Sequence, residues 1–297
     1  MALTLVSDTD KIVGLEEYVD YVAREVDVSN EDSIIASAPM LQALGNNRHF
    51  VSELLTAELR SWQTFQEGND YTAPTLMLAQ RELFAVRANI WEPPARTPEF
   101  REHQKSLYYY DMPHDHNFSF LTVGYFGPGY ETVIYEREHD AITGIPGQKV
   151  ELRFLERTTL PQGKVMFYRA SRDIHRQEHP EAFSLSINLL VTNPGPQRQD
   201  QYFFDLENGA VLDVGGAGTT GSRVLACRLA RYIGDGRTAD ALEPIATTHP
   251  TPRVRATALE SLATLAGASA KEVWRSGEAD PHPLVRHCAR RALAGLE

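Results

Sequence analysis

The sequence predicts an α+β protein in which a jelly-roll β-barrel is flanked by an N-terminal helical segment and C-terminal helical hairpins. Apolar residues recur at helical spacing near both ends of the 297-residue chain, whereas the middle contains short β-branched or aromatic runs separated by Gly and Pro. The C-terminal part also repeats itself at a fixed offset. We therefore expect three regions, at 1–83, 84–214 and 219–297.

The first region, residues 1–83, is predicted to be helical. Apolar residues recur at three-to-four spacing in GLEEYVDYVAREV (14–26) and in RHFVSELLTAELRSW (48–62). The stretch SNED (29–32) is typical of a helix N-terminus. Nothing here has catalytic spacing, so we expect a scaffold or a lid.

The second region, residues 84–214, is predicted to form the barrel. Its strand-like runs are LFAVRANIW (83–91), FSFLTVGYF (118–126), ETVIYERE (131–138), KVELRFLERT (149–158), KVMFYRA (164–170), AFSLSINLLVT (182–192) and QYFFDL (201–206). Turn signals such as Gly127-Pro128-Gly129 separate them. Seven short strands with almost no helical pattern between them are typical of a sandwich or barrel.

The third region, residues 219–297, contains two copies of one pattern. HPTPRVRATALESLATL (249–265) superposes on DPHPLVRHCARRALAGL (280–296) at an offset of 31 residues. This period indicates stacked helical hairpins. The order of a Pro, then Val-Arg, then small residues and leucines resembles HEAT repeats. The resemblance implies a surface for a protein partner or a homodimer contact.

Composition and charge exclude several classes of protein. The net charge of −11 argues against nucleic-acid binding, because phosphate contact needs clustered Lys and Arg. The two cysteines, Cys227 and Cys288, give neither a disulfide framework nor a zinc cluster. No apolar run is long enough to span a membrane and the first residues do not read as a secretory signal, so we expect a cytoplasmic protein without membrane contact.

The motif HDH is the strongest chemical signal. On a strand, His114 and His116 would point to one face and Asp115 to the other. Neutral imidazole is the commonest protein ligand for iron, zinc, copper or nickel, so the pair could hold a metal together with His175. The alternative is two histidines that share one face of a sheet by chance.

HDH, followed by a Pro-x-Gly turn at 161–163 and then His175, resembles the cupin superfamily. The closer resemblance is to thiol dioxygenases of the cysteine dioxygenase type, because IHRQEHPEAFSLSI (174–187) is similar to their second motif and Arg87 precedes HDH at a similar distance. The resemblance covers about 84–192. It implies a three-histidine Fe(II) site at which Arg87 binds the substrate carboxylate.

Two departures from that family bear on the chemistry. Phe120 and Leu121 stand where other cupins carry a glutamate ligand and where cysteine dioxygenases carry a crosslinked Cys. The Ser-His-Tyr alternation of the second motif appears as Ser184, Ser186 and Asn188. We therefore expect three neutral ligands, and we do not expect cysteine itself to be the substrate.

Further residues receive predicted roles. Arg87 and Tyr110 are predicted to be catalytic, and Arg87, Arg172, Arg176 and Asn188 are predicted to bind substrate. The two arginines beside His175 could recognise an anionic group. A buried ion pair for Arg87 and core packing for Tyr110 are the structural alternatives.

These features predict a mononuclear non-haem Fe(II) oxygenase or dioxygenase that uses O2, with an apolar lining from Phe118, Phe120 and Phe167. Its substrate would be a chelating small molecule, or an amino-acid-like group that is free or bound to a carrier or peptide. Zn, Mn, Cu and Ni are alternative metals, and the first two would suit an isomerase or a lyase. The same features leave open a 2-oxoglutarate-dependent hydroxylase, which normally has HxD or HxE, and a non-catalytic ligand-binding protein that recruits partners.

Overall fold

The computed structural model describes residues 3–69, 71, 73–138, 142–191, 200–215 and 218–295. The helices in these residues are α1 (Leu15–Glu25), α2 (Glu31–Ala36), α3 (Ala38–Asn46), α4 (Phe50–Arg60), α5 (Pro98–Tyr108), α6 (Gly218–Ile233), α7 (Gly236–Thr248), α8 (Pro252–Ala266), α9 (Ala270–Gly277) and α10 (Pro283–Ala294). The strands are β1 (Leu3–Leu5), β2 (Thr75–Gln80), β3 (Phe84–Trp91), β4 (Ser119–Phe126), β5 (Glu131–Glu136), β6 (Arg153–Thr159), β7 (Val165–Tyr168), β8 (Asp173–Glu178), β9 (Ser184–Val191), β10 (Tyr202–Asp205) and β11 (Ala210–Val214). The predicted mixture of helices and sheets is confirmed.

The chain divides into two compact units. The first comprises Met1–Arg137 and Glu151–Pro194, and it contains two antiparallel sheets. The larger sheet has the strand order β1-β7-β4-β9-β3-β2, and the smaller has the order β6-β5-β8. The predicted β-rich region is present, but instead of the predicted jelly-roll barrel its described strands form two sheets that do not close.

One face of the six-stranded sheet packs against the N-terminal helices. Because side chains alternate along a strand, Val86, Leu121 and Leu189 all lie on this face, and each is fully buried. Val19 of α1 and Leu44 of α3 belong to the same cluster. The apolar sides of the N-terminal helices thus cover this face of the sheet.

The opposite face of the same sheet forms a second core with the three-stranded sheet. Phe120, Met166 and Leu190 project from the large sheet into a cluster that includes Ile134 of β5. In β8, His175 stands directly opposite Ile134. Residue alternation therefore places His175 in this second core, between the two sheets.

The turn after β4 needs its glycine. Gly129 has φ of +80°, and a side chain there would collide with the carbonyl of Leu160. The turn predicted at Gly127-Pro128-Gly129 thus brings the end of β4 against the chain that leads into β7.

The second unit comprises Glu138–Val150 and Gly195–Glu297. It contains the β10-β11 hairpin and the helices α6 to α10, whose core includes Val254, Leu259, Trp274 and Val285. Helices α8 and α10 each begin at a Pro, and the predicted offset of 31 separates the two starts. Strands β10 and β11, which fall within the predicted segment 84–214, belong to this unit.

Several elements differ from the sequence expectation. The predicted helical region 1–83 also contains β1 and β2, because a short apolar run such as TLMLAQ (75–80) has no period that separates strand from helix. The predicted barrel contains α5, which buries only Gln104 and so lacks an apolar stripe. The described residues include no helix that is long and apolar enough to cross a bilayer.

Candidate metal centre

Three histidines converge in the core between the two sheets. Nε2 of His175 lies 3.2 Å from Nε2 of His114 and 3.0 Å from Nε2 of His116. His114 and His175 also exchange backbone hydrogen bonds of 3.0 and 2.9 Å, which join the HDH segment to β8. The predicted ligand set therefore comes together as one cluster with a nitrogen of each ring facing the others.

The HDH segment differs from its predicted conformation. It precedes β4 as irregular chain with one bridge at His114, instead of lying on a strand. Asp115, expected to face solvent, is fully buried, and its carboxylate accepts a 2.8 Å hydrogen bond from Nη2 of Arg137. A buried carboxylate needs a charged partner, and the arginine supplies it.

Burial keeps the three imidazoles neutral. It lowers the pKa of His114 to about 4. Burial, the other two histidines and Arg87 hold the pKa of His116 well below its usual value, and burial, His114 and Arg87 do the same for His175. At neutral pH each ring therefore has a free lone pair, which a metal ligand requires.

A hydrogen bond to the backbone fixes the tautomer of His114. Its Nδ1 lies 2.7 Å from the carbonyl oxygen of Met112, and a carbonyl can only accept. Nδ1 therefore carries the proton and Nε2 carries the lone pair. A backbone carbonyl behind a ligating histidine is a common outer partner in metal sites.

Gln177 lies beside His175 on the same face of β8. Its Nε2 is 3.1 Å from Nδ1 and 3.3 Å from Nε2 of His175, while its Oε1 is buried without a hydrogen-bond partner. Rotating the carboxamide by half a turn would let Oε1 accept from Nδ1–H. That orientation leaves Nε2 of His175 free to bind a metal and also gives Oε1 a partner.

Aromatic rings surround the cluster. Phe118 stacks on His116 at 4.8 Å between ring centroids, and Phe120 meets the same ring edge-on at 5.3 Å. Tyr168 lies 5.0 Å from His175. Phe167 was also predicted to line the site. It alternates with Tyr168 along β7, so it packs instead in the core on the helix-covered face of the sheet.

Arg87 and Asn188 lie side by side on the site face of the large sheet. They are directly paired across β3 and β9, so their side chains share one face. Nε of Arg87 is buried without a hydrogen-bond partner, and its guanidinium stacks between Tyr71 at 4.8 Å and Phe118 at 5.9 Å. Burial lowers the pKa of Arg87, and no described carboxylate lies within ion-pair distance of its guanidinium.

The remaining predicted site residues have different surroundings. Tyr110 is fully buried, and its hydroxyl exchanges two 3.1 Å hydrogen bonds with the backbone of Glu92. Arg176 alternates with His175 along β8, so it faces away from the cluster, and it pairs with Glu178 at 2.6 Å. Nε of Arg172 is buried without a partner. A catalytic role for Tyr110 and substrate contacts for the two arginines stay predictions.

Sequence reasoning missed two residues of the site. Arg137 stands directly after β5, and nothing in the sequence indicates that it reaches back to Asp115. Gln177 is two residues after His175, so assigning that segment to a strand places both side chains on one face. The apolar strand pattern in the sequence begins only at residue 182, which is why Gln177 receives no predicted role.

The donor set fits a divalent transition metal. Three neutral imidazole nitrogens suit iron, zinc, copper, nickel or cobalt, and three protein ligands leave further coordination positions for substrate or water. The carboxylate of Asp115 is already paired with Arg137, so three neutral imidazoles would leave the positive charge of a bound ion uncompensated.

No family model and no curated protein matches the chain. Among solved structures it is similar to a DMSP lyase (14% identity over 44% of this chain and 52% of that chain, TM-score 0.27) and to a cupin-superfamily sugar phosphate isomerase from Silicibacter pomeroyi (14%, 44% and 65%, TM-score 0.25). It is also similar to a hydroquinone 1,2-dioxygenase from Sphingomonas sp. TTNP3 (7%, 45% and 77%, TM-score 0.27). The chain thus spans about half of the first protein and 65% of the second. At these scores the likeness assigns neither a reaction nor a substrate.

Proposed function

We propose that this chain is a cupin-type, mononuclear non-haem Fe(II) oxygenase that acts on a small anionic molecule able to chelate the metal. The observation that carries the proposal is the convergence of three neutral Nε2 atoms, with that of His175 at 3.0 Å from His116 and 3.2 Å from His114. Two nitrogens that each bind one ion at about 2.1 Å lie about 3.0 to 3.4 Å apart, so these distances favour a bound metal.

The positive charges of a bound metal ion and of Arg87 support an anionic substrate. The three ligands are neutral, so a divalent ion would keep its full charge until an anion binds. Arg87 adds a second positive charge on the same face of the sheet, and both its guanidinium and the ring of His116 contact Phe118. A carboxylate on the substrate would satisfy the unpaired Nε of Arg87, and the amide of Asn188 beside it would help to orient that group.

The residues around the cluster each have a defined task. Fe(II), when bound, supplies the electrons that activate O2. His114, His116 and His175 would hold the ion, while the carbonyl of Met112 orients the ring of His114 and Gln177 that of His175. Phe118 and Phe120 exclude water from the reacting groups. Tyr168 brings a buried hydroxyl to the same wall, where it can donate to the substrate.

The substrate can be identified from the mass that its product gains from labelled O2. The protein would be reconstituted with Fe(II) without oxygen, mixed with a library of small carboxylates and amino-acid-like compounds, and then exposed to labelled O2. We expect a product that gains labelled oxygen, with no gain in His175→Ala. A gain that depends on 2-oxoglutarate with release of succinate would instead identify a hydroxylase, and turnover without O2 would identify a lyase or an isomerase.

A further inference from the structure

A cavity of about 480 Å³ in the second unit is lined by cationic residues. Its lining residues are Ile145, Pro283, Arg286, His287, Arg290 and Arg291. Among them, Arg290 lies 3.9 Å from the carboxylate of Glu278, a long and solvent-exposed pair. Because the whole chain has a net charge of −11, this concentration of arginines on one helix is a local exception, and it favours an anionic ligand.

The internal repeat shows which anionic group fits. In the first copy, Nη1 of Arg255 donates to the carbonyls of His249 and Pro250 at 2.7 and 3.4 Å. This leaves Nε and Nη2 free, and they donate to the two carboxylate oxygens of Asp280 at 2.8 and 2.9 Å. The guanidinium is thus held by the chain before its helix and presents a two-pronged donor to a carboxylate.

Arg286 repeats the first half of this arrangement, 31 residues later. Its Nη1 donates to the carbonyls of Asp280 and Pro281, both at 2.7 Å, and these residues are the equivalents of His249 and Pro250. The carboxylate partner is missing from this second copy, since no described carboxylate lies within ion-pair distance of Arg286. Its Nε and Nη2 therefore have no acceptor among the described residues and are available at the cavity.

We propose that this cavity, the Arg286 pocket, binds an acidic segment of a partner protein. One Asp or Glu carboxylate of the partner accepts from Nε and Nη2 of Arg286, as Asp280 accepts from Arg255, and Arg290 and Arg291 contact a second acidic residue. Asp280 also accepts from the backbone N–H of His282, at the start of α10. The best partner segment is thus an acidic loop that leads into a helix. This inference is independent of the proposed oxygenase function.

The matched probe is a peptide with the sequence GEADPHP, which is residues 277–283 of the chain itself. It would be added to the full chain while the side-chain Nε–H signals of arginine are followed by NMR. The comparison probes are the same peptide carrying D280N, and inorganic phosphate. Arg286→Gln assigns the signal, and Arg228→Gln, an exposed arginine of α6, is the matched control variant.

We expect the Nε–H signal of Arg286 to shift toward that of Arg255, saturably and less at high salt. The shift should be lost in Arg286→Gln and kept in Arg228→Gln, and the D280N peptide should produce a much smaller one. Equal shifts with phosphate and with both peptides would mean a site for any small anion and would overturn the proposal. So would an Arg286 signal that does not move, or self-association of the chain through this helix.

Discussion

Asp115 and Arg137 form a fully buried ion pair directly beside the histidine cluster. Nη2 and Nε of Arg137 donate to one carboxylate oxygen of Asp115 at 2.8 and 3.2 Å, and neither side chain has any exposed surface. Asp115 separates His114 from His116 in sequence. The pair thus anchors the residue between two predicted ligands, in addition to the backbone hydrogen bonds between His114 and His175.

Removing one partner of this pair should destabilise the protein strongly. Asp115→Asn removes the carboxylate charge from this fully buried ion pair, and we expect a loss of about 3 to 5 kcal/mol in the free energy of unfolding. Urea denaturation of the metal-free protein measures it. Arg24→Gln, which removes an exposed pair with Asp20, is the control and should change the free energy by less than about 1 kcal/mol. A similar small effect of Asp115→Asn would mean that the pair is not formed.

Gln177→Leu should weaken metal binding without unfolding the protein. The change removes the carboxamide that contacts the ring of His175 but keeps a side chain of similar size in the core. We expect affinity for Co(II) to fall about 10- to 100-fold, a usual effect for an outer partner of a ligating histidine. Titration followed by the visible Co(II) spectrum checks it. Gln80→Leu, at the exposed end of β2, is the control, and equal affinities for the two variants would exclude this role.

Arg87→Met should abolish the binding of anionic ligands without lowering the stability of the protein. Nε of Arg87 is buried without a hydrogen-bond partner, so a neutral side chain should leave the free energy of unfolding unchanged or raise it by about 1 kcal/mol. The same change should abolish binding of anionic ligands to the metal-loaded protein, because the carboxylate loses its cation. Calorimetric unfolding and ligand titration measure the two effects. Lower stability with unchanged ligand affinity would show that Arg87 is structural only.

The pair of Asp280 with Arg255 should make the second unit sensitive to acid. Burial alone would raise the pKa of Asp280, but the hydrogen bonds from Arg255 outweigh it and hold the pKa below its usual value of 3.8. The carboxylate therefore stabilises the fold above that pH, and this contribution is lost as the pH falls through the lower, folded-state value.

Asp280→Asn should consequently cost about 2 kcal/mol near neutral pH, and the cost should shrink as the pH falls below the usual carboxyl pKa of 3.8. Thermal unfolding of both proteins at several pH values, followed by helical circular dichroism, tests this. A difference that is constant across the range would mean that the charge of Asp280 does not contribute.

The sequence predicted the histidines because their chemistry is local. A His-x-His pair and a later His are visible as letters, and the structure brings their Nε2 atoms together. The partners of these rings were not predictable in the same way. Asp115 pairs with Arg137 through a contact between distant segments, and the burial of a carboxylate has no pattern in the sequence.

Secondary structure was likewise predictable only where the local sequence pattern was clear. Runs with clear alternation, such as FAVRANIW and SLSINLLV, became β3 and β9, and the Pro-initiated copies became α8 and α10. Helix α5, which buries only Gln104, and β8, in which polar residues face the core, carry little hydrophobic period. Tertiary contacts determine such elements, so the local sequence pattern could not predict them.

Metal retention by single histidine variants tests the central claim most directly. The protein would be loaded anaerobically with Fe(II), desalted and analysed for metal, in parallel with His114→Ala, His116→Ala and His175→Ala. His103→Ala, on the exposed side of α5, is the control. We expect about one equivalent in the parent and in the control, and less than about a tenth of that in each of the three variants. A parent that retains no transition metal, or four variants that retain it equally, would contradict the account.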